Sequence, residues 1–119
     1  MSGSNQSDFF DSTILQGLKD ALGDKINHII ELYLKEVPIN LVKMQQSLAD
    51  NDFVTLGRMA HSLKASSGTL GAKHTSVLCA ELEGIINDGV NDPLQISDLI
   101  TQIEKSFDQS RPMFSGFIN

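Results

Sequence analysis

The sequence predicts an all-α chain, folded as an antiparallel up-down-up-down four-helix bundle with a short additional helix at its N-terminal end. Three observations lead there. Between a few Gly and Pro positions, apolar residues recur at three- and four-residue steps. No stretch alternates in the period-two manner of a strand. The amphipathic segments are long and the breaks between them short, which favours antiparallel neighbours.

The short first helix starts at about Asp11, whose carboxylate suits the N-cap. It carries Ile14, Leu15, Leu18 and Leu22 on its apolar side and stops at Gly23. Asp24 is placed to cap the second helix, whose stripe holds Ile26, Ile29, Ile30, Tyr33, Leu34 and Val37 and continues through Leu41, Met44 and Leu48. Pro38 falls in the middle and is expected to kink or restart this helix without ending the pairing. Asp50-Asn51-Asp52 supplies a turn and an N-cap. A third helix follows with Phe53, Leu56, Met59, Leu63 and Leu70, up to a break at Gly71-Ala72. The fourth holds Val77, Leu78, Leu82, Ile85 and Ile86 and ends near Asn87-Asp88-Gly89. Asp92-Pro93 gives an N-cap followed by Pro at the first helical position, and the last helix sets Ile96, Leu99, Ile100, Ile103 and Phe107 on one face. This divides the chain into a flexible leader (1–10), the bundle (11–110) and a tail (111–119). For the tail, with Phe114 and Phe117, the pattern leaves fraying and packing back both open. No internal repeat or low-complexity linker marks a second domain.

With 119 residues the chain is long enough for one domain around one core. Its 15 acidic and 9 basic side chains give a formal charge of −6. A negative field of this kind offers no broad footprint to a nucleic-acid backbone or an anionic membrane, so neither is expected as a partner. Apolar runs such as Ile29-Ile30 are far shorter than the roughly 20 residues of a membrane span. The polar start, Met1 to Ser7, lacks the basic and apolar parts of a secretory signal. A lone Cys79 can form no internal disulfide or multi-thiolate metal site, and beside the core stripe it reads as a small buried hydrophobe. A free-standing, monomeric cytoplasmic protein is the expectation.

The informative segment runs from Arg58 to Ala72, on the third helix. At about 100° per residue, with His61 set at zero, Leu56, Met59, Leu63 and Leu70 fall within about 40° of the opposite side and form the core stripe. His61 therefore points to solvent. Gly57, Ala65 and Gly68 lie within about 40° of it, and Lys64 and Arg58 about 60° to either side. A lone helical histidine is most simply a solvated surface residue, but Gly costs roughly 1 kcal/mol against Ala inside a helix, so two glycines on this face need a reason. Gly68 near the helix end has the plainer alternative of loosening the last turn. A collar poor in side chains lets a partner's backbone and a reactive group approach the imidazole. The imidazole offers a nitrogen lone pair near neutral pH, and flanking cations favour a bound phosphoryl group. The patch reads as a phosphoacceptor site, with Gly57, Arg58, Ala65 and Gly68 as its docking surround.

His61-Ser-Leu-Lys64-Ala-Ser-Ser-Gly68-Thr-Leu-Gly71-Ala72 resembles the signature of bacterial histidine-containing phosphotransfer (HPt) domains, His-x-Leu-Lys-Gly-Ser-x-x-x-x-Gly-Ala. The eleven-residue spacing from His61 to Ala72 agrees, and the likeness covers most of the chain, including the long Pro-containing helix before the motif and the helix with Cys79 and Glu83 after it. Ala65 departs from the Gly that many members carry there. The resemblance implies that His61 accepts a phosphoryl group from a receiver-domain aspartate and passes it to another receiver, within hybrid sensor kinases and response regulators. It also implies that Lys64 assists the phosphoryl group and that Gly68 keeps the docking face open.

The hairpin itself nominates a partner for the imidazole. If the chain reverses at Gly71-Ala72, a residue ten or eleven before the turn faces one about as far after it, which puts His61 beside Leu82 and Glu83. The Glu83 carboxylate can accept a hydrogen bond from one ring nitrogen and leave the other free for attack. The alternative is an ordinary exposed helix glutamate.

Other chemistries find less support. Gly68-Thr-Leu-Gly71-Ala-Lys73 lacks the Gly-Lys-Ser/Thr ending of a phosphate-binding loop, so the chain is not expected to use ATP. His28-Ile-Ile-Glu31 puts two possible ligands on one helix face without the matched pairs of a di-iron bundle. His28 and His74 are expected at the surface. No cofactor is expected on this chain; the resemblance places Mg²⁺ in the partner receiver. A phosphoryl carrier is consumed and regenerated, so whether it counts as an enzyme is a matter of definition. The competing function class is a helical adaptor that binds receivers without phosphotransfer.

Overall fold

The computed structural model describes residues 8–118, so the predicted leader, up to Ser7, lies outside the described residues. Five helices follow in order: α1 Ser12–Leu22, α2 Lys25–Ala49, α3 Phe53–Thr69, α4 Lys73–Asn87 and α5 Pro93–Ser115. Each long helix packs on its neighbours in sequence, and α5 closes the ring onto α2, while α1 rests against α2. This is the expected four-helix bundle with a short additional helix.

Local signals explain most boundaries. Asp11, Asp52 and Asp92 each accept a hydrogen bond from a backbone N–H in the first turn of α1, α3 and α5, as an N-cap should. Asp24 does not: its backbone is already helical and its side chain makes no capping bond, because the chain passes from α1 to α2 through Gly23 alone in the left-handed region (φ 61°). Pro38 does not restart α2, which runs unbroken from Lys25 to Ala49. The lost N–H bond is tolerated because Tyr33, Val37 and Leu41 anchor the helix in the core on both sides of it.

Two boundaries move. Phe10, counted with the leader, is only 5% exposed and meets Phe114 edge-on at 4.9 Å between ring centroids. The tail does not begin at Arg111: α5 continues through Pro112 to Ser115, and Phe114 is fully buried. Tyr33 joins the group, at 5.2 Å from Phe114 and 5.7 Å from Phe107. Burial of these rings, each worth a few kcal/mol, holds the segments around Phe10 and Phe114 on the bundle. Gly71 sits at the same end with φ 88°; its carbonyl accepts from Asp11 N–H at 2.7 Å, and a Cβ here would stand 2.5 Å from Asp11 O. Among the described residues, no helix is long and apolar enough to cross a membrane.

The core follows the predicted stripes, with Ile30, Met44, Leu56, Leu63, Leu82, Ile100 and Phe107 buried from four different helices. Cys79 is buried, and burial pushes its thiol up to about 12. Two buried hydroxyl pairs tie helices together: Tyr33 Oη with Ser67 Oγ at 2.7 Å, and Thr75 Oγ1 with Ser106 Oγ at 2.8 Å. Ile29 and Val77, assigned to the core from their spacing, are exposed.

Candidate functional site

The antiparallel pair α3 and α4 builds the site. Across their seam Gly57 faces Ile86, His61 faces Glu83, and Gly68 faces Ser76. The chain reversal at Gly71-Ala72 sets this register, and the expected pairing of His61 with Glu83 is observed.

The His61 side chain is 62% exposed, and its Nδ1 lies 2.8 Å from Glu83 Oε2. The other carboxylate oxygen, Oε1, accepts from Lys64 Nζ at 2.8 Å. Glu83 therefore bridges the two residues, with its own side chain only 19% exposed. The Lys64 bond holds its carboxyl below the ordinary carboxylate value; burial opposes this, and the His61 bond adds to the lowering. An ionised carboxylate only accepts, so Nδ1 carries the proton, and in the neutral imidazole Nε2 keeps its lone pair; among the described residues it has no hydrogen-bond partner.

The electrostatics differ in one respect from the sequence reading. Lys64 is committed to Glu83, so of the two expected cations Arg58 alone, exposed and without an ion pair among the described residues, faces solvent unengaged.

The glycines also face the neighbouring helix. A Cβ on Gly57 would touch Ile86 Cγ2 at 3.4 Å, and one on Gly68 would come within 3.2 Å of Ser76 Oγ. Both open sides turn toward α4. At Gly68 the missing Cβ lets α4 approach more closely, while at Gly57 a Cβ would make ordinary contact with Ile86. Ala65 and Arg58 do lie on the exposed outer face.

Two open grooves meet at His61. One runs along α3 and α4 past Phe53, Val54, Gly57, Arg58 and Ile86. The other lies between α2 and α3 and is lined by Ile29, Leu32, Glu36, Asn40, Ala65 and Thr69. Ile29 and Leu32, 40% and 45% exposed, were not recognised as site residues. For Leu32 the signal was present: it falls about 100° from Tyr33 and about 160° from Ile30, off the buried stripe, whereas Ile29, about 40° from Tyr33 and about 100° from Ile30, stands at the edge of that stripe and its spacing does not set it apart. Ser76 was also missed, although it stands two turns before Glu83 on the same face of α4.

The remaining histidines lie elsewhere. His28 is exposed, as expected. His74 is exposed too, but its Nδ1 lies 2.9 Å from Ser106 Oγ and its ring packs on Phe9 at 5.5 Å.

Comparison with known proteins gives two matches. Residues 28–111 match the family described as Hpt domain. Among solved structures the chain is similar to histidine-containing phosphotransfer protein B from Pseudomonas aeruginosa PAO1, with a TM-score of 0.84 and 24% identity, covering 91% of this chain and 92% of that one. That likeness is one of fold. No curated protein matches the chain.

Proposed function

This chain belongs to the Hpt domain family, whose work is histidine phosphotransfer between receiver domains in two-component phosphorelays, and we propose that His61 is the residue that carries the phosphoryl group here. One observation supports this above the others: Nδ1 is held by Glu83 at 2.8 Å on a side chain that is 62% exposed, which leaves Nε2 as the nitrogen for attack.

The reaction is an in-line displacement. The Nε2 lone pair attacks the phosphorus of a receiver's aspartyl phosphate, the N–P bond forms as the P–O bond to the aspartate breaks, and the carboxylate leaves with its electron pair. No proton has to leave Nε2, because the tautomer set by Glu83 leaves that nitrogen bare. The positive charge that develops on the ring is balanced by the Glu83 carboxylate at Nδ1. Reversal of these steps onto a second receiver discharges the histidine. The receiver supplies the Mg²⁺ that neutralises the phosphoryl oxygens, and this chain supplies a positioned nucleophile with no ATP of its own.

Lys64 acts first as the clamp on Glu83 and, once the phosphoryl group is on Nε2, as a cation within a helical turn of it. Arg58 and Ala65 frame the approach on α3. The α2–α3 groove, with Ile29 and Leu32, is the apolar part of the docking face. The chain works as a monomer, with receivers of hybrid kinases and of response regulators as its partners.

The test mixes the protein with a phosphorylated receiver, with and without His61→Gln, and reads acid-labile phosphate on the Hpt chain. Label on the unmodified protein alone is expected. Equal label on both forms, or none on either across a panel of receivers, overturns the assignment; binding without label points to an adaptor.

A further inference from the structure

We propose that Ser76 is a positioning residue for phosphotransfer, holding α4 at the height and spacing from which Glu83 serves His61 and Lys64 together; this rests on His61 being the phosphoacceptor. Ser76 is half-buried in the α3–α4 seam, and its hydroxyl donates to the backbone carbonyl of Lys64 at 2.9 Å. A helical serine or threonine ordinarily turns its hydroxyl back onto its own helix. Ser66, Thr69, Thr101 and Ser110 do so, to Leu63, Ala65, Ser97 and Phe107. Among the described residues, Ser76 is the one hydroxyl that bonds the backbone of a different helix.

The residue it grips is the one whose ammonium holds Glu83. A carbonyl oxygen has two lone pairs, so Lys64 O accepts from Ser76 without giving up its place in the helix ladder. Space for the hydroxyl comes from Gly68, where a Cβ would press to 3.2 Å. Ser76 and Glu83 lie seven residues apart, two turns on one face of α4, and His61, Lys64 and Gly68 share the facing side of α3. The seam is thus pinned by a hydrogen bond at one end and by Ile86 against Gly57 at the other, with Glu83 between them. One carboxylate meeting two donors at 2.8 Å each tolerates little sliding of α4 along α3.

The hydrogen bond and the packing can be separated. Ser76→Ala removes the bond and leaves a gap. Gly68→Ala combined with Ser76→Ala fills the gap, because the added Cβ then meets the Cβ of residue 76 at an ordinary 3.8 Å, and the glycine's helix penalty is removed as well. Two readouts are taken on the full chain: the rate of phosphoryl uptake from a phosphorylated receiver, and the share of the Nδ1–H tautomer of His61 from ring ¹⁵N shifts. Both variants are expected to transfer about three- to tenfold more slowly, the weight of one hydrogen bond, and to shift His61 away from the Nδ1–H tautomer. Unfolding of the double variant is expected at or above the wild-type midpoint, so that slow transfer in it is not loss of fold. A double variant with wild-type rate and tautomer, or a Ser76→Ala protein with an unchanged tautomer, overturns the proposal. The tautomer is read without any receiver, so it decides the role of Ser76 separately; failure of the wild-type protein to take up phosphate at His61 strikes the phosphoacceptor reading instead.

Discussion

Glu83 accepts from His61 through one carboxylate oxygen and from Lys64 through the other, so its ionisation is tied to the folded seam. Its carboxyl is held below the ordinary value of 4.5 mainly by the Lys64 bond. A depressed carboxyl contributes stability that is fully present above the unfolded value and is lost as pH falls through the lower folded one. Chemical denaturation of wild type and Glu83→Gln is therefore expected to differ above about pH 4.5, and the part of the difference that comes from the carboxylate to shrink at more acid pH. A gap that persists unchanged at pH 3 removes the bridge as its source. In phosphotransfer, Glu83→Ala is expected to slow uptake at neutral pH, about tenfold or more, since a charge-assisted hydrogen bond to the nucleophile is lost. An unchanged rate assigns the carboxylate to the surface alone.

At the scale of the elements, the Gly71 turn decides where α4 lies against α3. The residue has φ 88°, and its missing Cβ makes room for the backbone of Asp11. Gly71→Ala is expected to destabilise the protein by about 2 kcal/mol or more, from the left-handed conformation together with the clash, read as a lower denaturation midpoint at unchanged slope. Less than about half that amount means the N-terminal segment yields without cost. The same turn explains why counting outward from Gly71-Ala72 found Glu83: in an antiparallel helix pair with a tight connection, equal distances from the turn lie side by side. What the count did not contain is the spacing of the helices. Glycines at 57 and 68 were visible on the His61 side of the wheel, but a wheel has no neighbouring helix on it, and the contacts of those glycines turned out to be Ile86 and Ser76.

Over the whole molecule, the net charge of −6 and the chemistry of the site are nearly independent. The docking face proposed for receivers draws on three helices: Ile29 and Leu32 on α2, Arg58 and Ala65 on α3, and Glu83 beside His61 on α4. Leu32 is 45% exposed, so it contributes little to folding and is free to be buried by a partner. Leu32→Asp is expected to weaken receiver binding about tenfold or more, the scale of losing one apolar side chain from an interface and burying a charge, with the unfolding midpoint unchanged. Wild-type affinity in the variant places the receiver elsewhere on the bundle. The core reading failed in the same place for the same reason: hydrophobic periodicity reports that a face is apolar, and α2 carries more apolar surface than its own bundle covers.

The helices, their order and the phosphoacceptor candidate are legible in the residues alone, because they depend on local matters: apolar spacing, Asp caps, Gly and Pro breaks, and a short motif around His61. So is the carboxylate that faces that histidine, since a tight turn fixes register. Packing in three dimensions was needed to learn that Glu83 holds Lys64 as well as His61, that Gly57 and Gly68 face α4, that Pro38 and Pro112 lie inside unbroken helices, and that Phe10 and Phe114 meet in the core. Each of these depends on distances between elements remote in sequence, set by how side chains from several helices fill one volume, and no pattern along a single helix carries that information.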